Sequence, residues 1–363
     1  MKPLRTVLAA LAAAAAVIVH AAPGGACPPD CAPRIGIVSA FGQEADILVE
    51  QARDRRTVVL NGNRFTTGTL RGNRVVIVLS GVSMINSTMV TQLMLDHFRV
   101  ERLVMSGIAG GLDPARHVGD VTVPERWAMP MEVYWNRDNA RPGPCGQPGD
   151  VSCLGLKLAE VDGKPVAPLS LGASAPTGLF PRDNHVMNAA NAPRGEFRFD
   201  YPVDPDMLAV ARAIRPALRR CGPRAQGPDD ARQCVKTQPE LVVGGRGVSG
   251  TAFVANPEVR RWLYEELGAR TVEMETAALA HVAYANGVPY IAFRSLSDLA
   301  GAEALDPDAI TLFTSGLAET NEAAVTLAFL DAWARRAPGS GLRPDLAHGR
   351  RSQGQAEGRT GDP

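Results

Sequence analysis

Thr271-Val272-Glu273-Met274-Glu275-Thr276-Ala277-Ala278 begins as a β-branched run, meets charged residues, and continues alanine-rich. Tyr290-Ile291-Ala292-Phe293-Arg294-Ser295-Leu296-Ser297-Asp298 follows it closely. The first stretch predicts a strand over Thr271–Met274 that feeds a helix from Thr276 to Asn286. The second predicts a strand over Tyr290–Arg294. Strand, helix and strand at this spacing form the repeating unit of an α/β fold.

The same alternation extends outward. Arg34–Ser39 reads as a buried first strand with polar Gln43, Glu44 and Asp46 just beyond its end. Thr57–Leu60, Arg64–Leu70 and Arg74–Leu79 read as a meander. Its turns are Asn61-Gly62-Asn63 and Arg71-Gly72-Asn73, whose central residues tolerate positive φ. A helix is expected from Asn86 to Phe98, then strands at Arg102–Met105 and Asp120–Val123, with Ser106–Gly111 as a glycine loop after the first of them. Further on come a helix from Asp204 to Arg220, a strand at Glu240–Gly244, a helix at Pro257–Leu267 and a helical run from Asp308 to Arg336. Together these predict a three-layer α/β/α sandwich around a mixed central β-sheet.

Between about Trp135 and Tyr201 the periodicity is lost and Pro, Gly, Asn and Ala dominate, which predicts a long insertion without regular structure. At the N-terminus, Lys2 and Arg5 precede the apolar run from Val7 to Val19, and Ala21-Ala22 follow. This is the pattern of a signal peptide over residues 1–22, too short for a comfortable membrane span. Export and no stable membrane insertion are therefore expected. Residues 338–363 are nearly devoid of apolar side chains and are expected to be disordered.

The six cysteines agree with export. They lie in close pairs along the chain, Cys27 with Cys31, Cys145 with Cys153 and Cys221 with Cys234, and read as local disulfides in an oxidising compartment; other connectivities remain open. No Cys-x-x-Cys occurs and no histidine stands at ligand spacing beside a cysteine, so no metal or other cofactor is expected. Basic and acidic side chains balance at 38 each and aromatics make up 5%. That argues against a nucleic-acid partner, which needs a basic surface or stacking platforms.

The polar segments Ser39–Asp46, Ser106–Gly111, Val272–Glu275 and Arg294–Asp298 all fall where strands are expected to end, which is where α/β sheets place their sites. A lone carboxylate there is commonly a cap or a solvated turn. The set is more informative, because carboxylates (Glu44, Glu273, Glu275, Asp298), a fixed cation (Arg294) and glycine turns complement one another.

In order and spacing these motifs resemble the nucleoside phosphorylase / 5′-methylthioadenosine–S-adenosylhomocysteine nucleosidase superfamily. The similarity runs from Arg34 to about Arg336 apart from the insertion. Ile35-Gly36-Ile37-Val38-Ser39-Ala40-Phe41-Gly42-Gln43-Glu44 is similar to the family's first strand and its glutamate. Ser106-Gly107-Ile108-Ala109-Gly110-Gly111 is similar to its glycine loop, and Ser249-Gly250-Thr251-Ala252-Phe253-Val254 to its base-binding segment. The resemblance implies a purine nucleoside as partner and assigns roles. Asp298 would protonate the base, Glu44 would activate water with help from Arg294, and Glu275 would hold the ribose hydroxyls beside Met274. Phe253 would stack on the base and the Val254 backbone would read its edge. Glu273, Ile108, Ala109, Gly110 and Ser297 complete the implied substrate site. A homodimer is also implied.

Breaking a glycosidic bond builds positive charge on the sugar and negative charge on the base, so an acid suits the base side and carboxylates the sugar side. Related phosphorylases hold phosphate with arginines near the first strand and before the glycine loop. Here those positions offer Phe41-Gly42-Gln43-Glu44 and Met105, which favours hydrolysis. Ile108 departs from the serine common in nucleosidases. A phosphate-dependent phosphorylase and a non-catalytic exported nucleoside-binding or storage protein remain as alternatives.

Overall fold

A computed structural model describes residues 31–143, 145, 150–171, 178–225, 227, 230, 233–302 and 307–336. The expected leader, Cys27 with its pairing to Cys31, and the expected disordered tail lie outside the described residues.

The N-terminal third comprises β1 (Arg34–Ser39), α1 (Gly42–Gln51), β2 (Arg53–Leu60), β3 (Asn63–Leu70), β4 (Asn73–Leu79), α2 (Met84–His97) and β5 (Val100–Gly111). The meander is built as its sequence predicts. Asn61 and Gly62 take φ of 48° and 81°, and Arg71 and Gly72 take 48° and 78°, the left-handed pairs that match a two-residue turn to the strand twist. Next come β6 (Val121–Val123), β7 (Arg126–Ala128) and the short strands β8 (Val133–Trp135), β9 (Glu160–Val161), β10 (Lys164–Pro165), β11 (Leu179–Pro181), β12 (Asn184–Val186), β13 (Glu196–Arg198) and β14 (Asp200–Pro202). The C-terminal part holds α3 (Pro205–Ala213), β15 (Leu241–Val243), β16 (Arg246–Ser249), α4 (Pro257–Leu267), β17 (Ala269–Glu273), α5 (Thr276–Asn286), β18 (Tyr290–Asp298), α6 (Pro307–Phe313) and α7 (Leu317–Ala334).

These strands form a mixed twelve-stranded sheet in the order β14-β7-β16-β17-β5-β1-β4-β3-β2, with β18 branching from β5, β6 pairing with β18 and β15 pairing with β6. Successive residues of β18 show the layering: Phe293 packs on Phe329 of α7, whereas Arg294 reaches Thr276 of α5 on the opposite face. A continuous core that includes Ile37, Val38, Leu103, Val104, Ile291 and Phe293 fills the space between the layers. The expected three-layer sandwich is the observed one.

β5 organises the site. Its first half runs parallel to β1 and β18, and its last residues, Gly110 and Gly111, pair antiparallel with β17. The expected glycine loop Ser106–Gly111 is therefore a strand, because its backbone groups complete ladders on β18 and β17. β18 likewise runs on past Arg294 to Asp298, with an irregularity between Leu296 and Asp298.

Other boundaries also differ from expectation. The helix expected to reach Arg220 stops at Ala213, since Pro216 lacks an N–H and restricts the residue before it. The long C-terminal helical run is broken at Gly316, φ 79°, into α6 and α7. The insertion is not devoid of structure. It carries the hairpins β9–β10 and β12–β13 and an antiparallel pairing of β8 with β11, with Val151, Leu158 and Phe180 as a small core of their own. Its last strand, β14, joins the main sheet through β7. Disulfides link Cys145 to Cys153 and Cys221 to Cys234, as proximity in the sequence predicts.

Candidate active site

A cavity of about 340 Å³ opens at the ends of β1, β5, β17 and β18. Its floor is the Ile108–Gly110 segment of β5. Ala40, Phe41 and Glu44 enter from the β1–α1 junction, and Met274 and Glu275 from the junction of β17 and α5. Ser297 and Asp298 come from the end of β18, Ala252, Phe253 and Val254 from the segment after β16, and Phe313 from α6. The sequence-derived residues thus converge, with one exception: Arg294 does not line the cavity but lies buried behind it.

Glu44 sits in the first turn of α1 and is fully buried. Its Oε2 accepts the N–H of Ala40 at 2.6 Å and that of Phe41 at 3.2 Å, and its Oε1 accepts the N–H of Ile108 at 2.9 Å. Burial pushes its pKa above the usual carboxylate range, while Arg294 and the three N–H groups act against that shift. A carboxylate so held is fixed in place and is more basic than one in water.

Arg294 is enclosed by acids. Nη2 donates to Glu273, and to Glu275 Oε2 at 3.5 Å; Nη1 donates to the Ile108 carbonyl at 3.2 Å. Thr276 Oγ1 accepts from Nε at 3.1 Å and from Nη2 at 2.9 Å. Gly107 makes the arrangement fit, because a Cβ there would collide with both Arg294 and Glu44.

Glu273 has a role that the sequence reading did not separate from its neighbours. It accepts the backbone N–H groups of Glu275 and Thr276 and the hydroxyls of Thr276 and Ser249, besides Arg294. Its carboxylate is thereby committed to capping α5 and holding the arginine. Glu275 is the more available acid. Ser83 donates its backbone N–H to Glu275 Oε1 at 2.9 Å. Burial pushes the Glu275 pKa up to about 7, with the charges of Glu273 and Glu44 adding and those of Arg294 and the Ser83 N–H opposing.

Asp298 occupies the other side of the cavity. Its Oδ1 accepts from the Ala300 N–H at 2.8 Å and its Oδ2 from Ser297 Oγ at 2.9 Å. Burial raises its pKa against these two bonds, toward the neutral acid that can donate a proton. A Cβ on Gly110 would stand 3.0 Å from Asp298 Oδ1, so the glycine lets strand and carboxyl approach.

A model of the phosphorylase superfamily matches residues 34–331. The chain belongs to the phosphorylase superfamily. Among superfamily relatives, the 5′-methylthioadenosine/S-adenosylhomocysteine nucleosidase of Marinomonas sp. (strain MWYL1) is 28% identical over 272 residues, which is 74% of this chain and 87% of the relative. The protein of the same name from Lysinibacillus sphaericus (strain C3-41) is 25% identical over 271 residues, 74% of this chain and 88% of the relative. Two solved structures share the fold. The 5′-methylthioadenosine/S-adenosylhomocysteine nucleosidase of S. pneumoniae, with a transition-state inhibitor, superposes with TM-score 0.55 at 24% identity, over 83% of this chain and 99% of that one. The futalosine hydrolase of Helicobacter pylori strain 26695 gives 0.53 at 22%, over 83% and 96%.

Several residues of the site escaped the sequence reading. Thr276 and Ser249 carry ordinary helix-start and strand-end identities. Val82 and Phe313, which also line the cavity, lie in a turn and a helix with nothing local to mark them. Ser83 is visible only in three dimensions, as a non-glycine residue at φ 112° whose N–H serves Glu275.

Proposed function

We propose that this chain hydrolyses the N-glycosidic bond of an adenosine-type purine nucleoside, of the kind named for its relatives, 5′-methylthioadenosine or S-adenosylhomocysteine. One observation carries the proposal: the carboxyl groups of fully buried Glu44 and half-buried Asp298 face one cavity, and among the described residues no lysine or arginine lines it.

In this reading Glu44 takes a proton from water as the water oxygen bonds to C1′. The C1′–N9 electron pair passes to the base, and Asp298 delivers its proton to N7, so that neutral base leaves. Glu275 holds the ribose hydroxyls, with Met274 against the sugar. Phe253 stacks on the base and the Val254 backbone meets its edge, while Ala109 and Gly110 floor the pocket and Ser297 orients Asp298. Glu273 and Arg294 act by holding the acids in place. Ile108 presents hydrocarbon where related nucleosidases commonly carry serine, so its contribution is its backbone. Phosphorolysis fits less well, because a phosphate dianion would stand against Glu44 with no cation among the described residues lining the cavity.

The chain is further proposed to be exported, which the two disulfides support. It is also proposed to act as a homodimer. Phe253 is 61% exposed and Val82 48% exposed at the cavity rim, and a second copy would cover them.

The test is product analysis in isotope-labelled water with phosphate present. The proposal expects free adenine and a sugar bearing the labelled oxygen at C1′. Sugar 1-phosphate as the product would overturn it.

A further inference from the structure

Below the site, on the α7 face of β5, lies a buried acid that takes no part in the chemistry above. Glu322 projects from the middle of α7 and is fully buried. Its Oε1 accepts from Ser106 Oγ and from Thr326 Oγ1, the latter at 2.7 Å. Its Oε2 has no partner among the described residues. Two hydroxyl contacts on one oxygen and none on the other leave a buried carboxyl group poorly compensated for charge. Burial favours the neutral acid and pushes the pKa up to about 8; the two hydroxyls and Arg294 oppose the shift and the Glu44 charge adds to it.

Ser106 leads directly into the residues that carry the catalytic geometry. Gly107 packs beneath Arg294 and Glu44. The Ile108 N–H donates to Glu44 at 2.9 Å, and the Ile108 carbonyl accepts from Arg294 at 3.2 Å. A shift of this short segment along or out of the sheet would therefore move base and cation together.

We propose that Glu322 is a positioning residue for glycosidic cleavage: gripping Ser106 from α7, it sets the depth of segment 106–108 and thereby aims Glu44. This rests on the nucleosidase reading of the site. It also requires Glu322 to be uncharged. Arg294 from β18 already faces Glu44 of α1 together with Glu273 and Glu275 from the β17–α5 junction, and a further carboxylate charge would repel Glu44 and compete with it for that guanidinium. The other groups touching Glu322, Ser106 and Thr326, carry no charge.

The test compares full-length oxidised wild type with Glu322→Ala, Glu322→Gln and Ser106→Ala, measuring kcat, KM and the pH profile of kcat/KM. Glu322→Ala is expected to lower kcat about tenfold while KM stays within about twofold. Its acidic limb should move to higher pH, because a displaced Ile108 N–H no longer favours ionised Glu44. Glu322→Gln keeps the acceptor and should restore both kcat and the limb. Ser106→Ala, which removes only a hydroxyl, should shift the limb in the same direction even if Glu322→Ala fails to fold. An unmoved limb in Glu322→Ala, or in Ser106→Ala where the former does not fold, would overturn the proposal. So would a Glu322→Gln variant as impaired as alanine. If wild type releases no base, the nucleosidase reading fails by itself, and hydrogen exchange of peptides spanning 104–112 then decides the positioning role. Faster exchange in Glu322→Ala than in wild type and Glu322→Gln supports it; equal exchange in all three overturns it.

Discussion

Arg294 Nη1 lies 3.9 Å from Glu44 Oε1, and both groups are fully buried. The cation does not reach the cavity. It stands between three carboxylates and lets them lie close together in the protein interior.

Removing that cation leaves the acids unpaired. Arg294→Met is expected to destabilise the fold by about 3–5 kcal/mol, the usual consequence of stripping a buried charge of its partner, and to abolish detectable turnover. Urea denaturation alongside an adenine-release assay checks both. Stability equal to wild type would mean that Glu44, Glu273 and Glu275 take up protons without cost.

Gly107→Ala places a methyl group where Arg294 and Glu44 already stand. The expected result is a loss of about 1–3 kcal/mol through overpacking, with kcat falling more than KM changes, since the displaced groups belong to the sugar side of the site.

Ser83 holds φ 112° while its N–H serves Glu275. Glycine adopts that conformation without strain, so Ser83→Gly should gain about 1 kcal/mol in thermal or chemical denaturation with activity kept. Ser83→Pro, which removes the N–H and cannot hold φ 112°, should raise KM for the nucleoside, because Glu275 then loses this donor and turns away from the ribose.

Glu322 gives a pH signature in stability. Its pKa rises from 4.5 to about 8 on folding. Below 4.5 the acid is protonated in both states, and its favourable contribution is fully present. As pH climbs toward about 8 the unfolded chain ionises this group while the folded one does not, so stability falls. Glu322→Gln carries no such linkage. Its stability relative to wild type should therefore grow between pH 4.5 and about 8, as read from denaturation midpoints across that range.

Much of this was legible in the sequence, for physical reasons that differ by region. β1, α4 and α5 have the expected boundaries, because apolar runs, Asn256-Pro257 and the terminal glycines Gly268 and Gly287 mark them locally. Glu44, Glu275 and Asp298 were identified because their types and order match a known pattern, and they meet in one cavity. Local pattern misassigned Ser106–Gly111, since glycine signals a turn to a reader who cannot see Arg294 and Asp298 occupying the missing side chains' space. The insertion misled for the opposite reason: its hairpins are too short to show a period. Glu322 looked like an ordinary polar position of a long helix, and only its contact with Ser106 across 216 residues of chain reveals it as buried.

The most direct measurement is adenine release from 5′-methylthioadenosine, S-adenosylhomocysteine and adenosine by the oxidised protein, with and without phosphate, for wild type, Glu44→Gln and Asp298→Asn. Release independent of phosphate, reduced about 10²–10⁴-fold in each variant, is the predicted result. Release that requires phosphate, or that survives both substitutions, would contradict the assignment of Glu44 as base and Asp298 as acid.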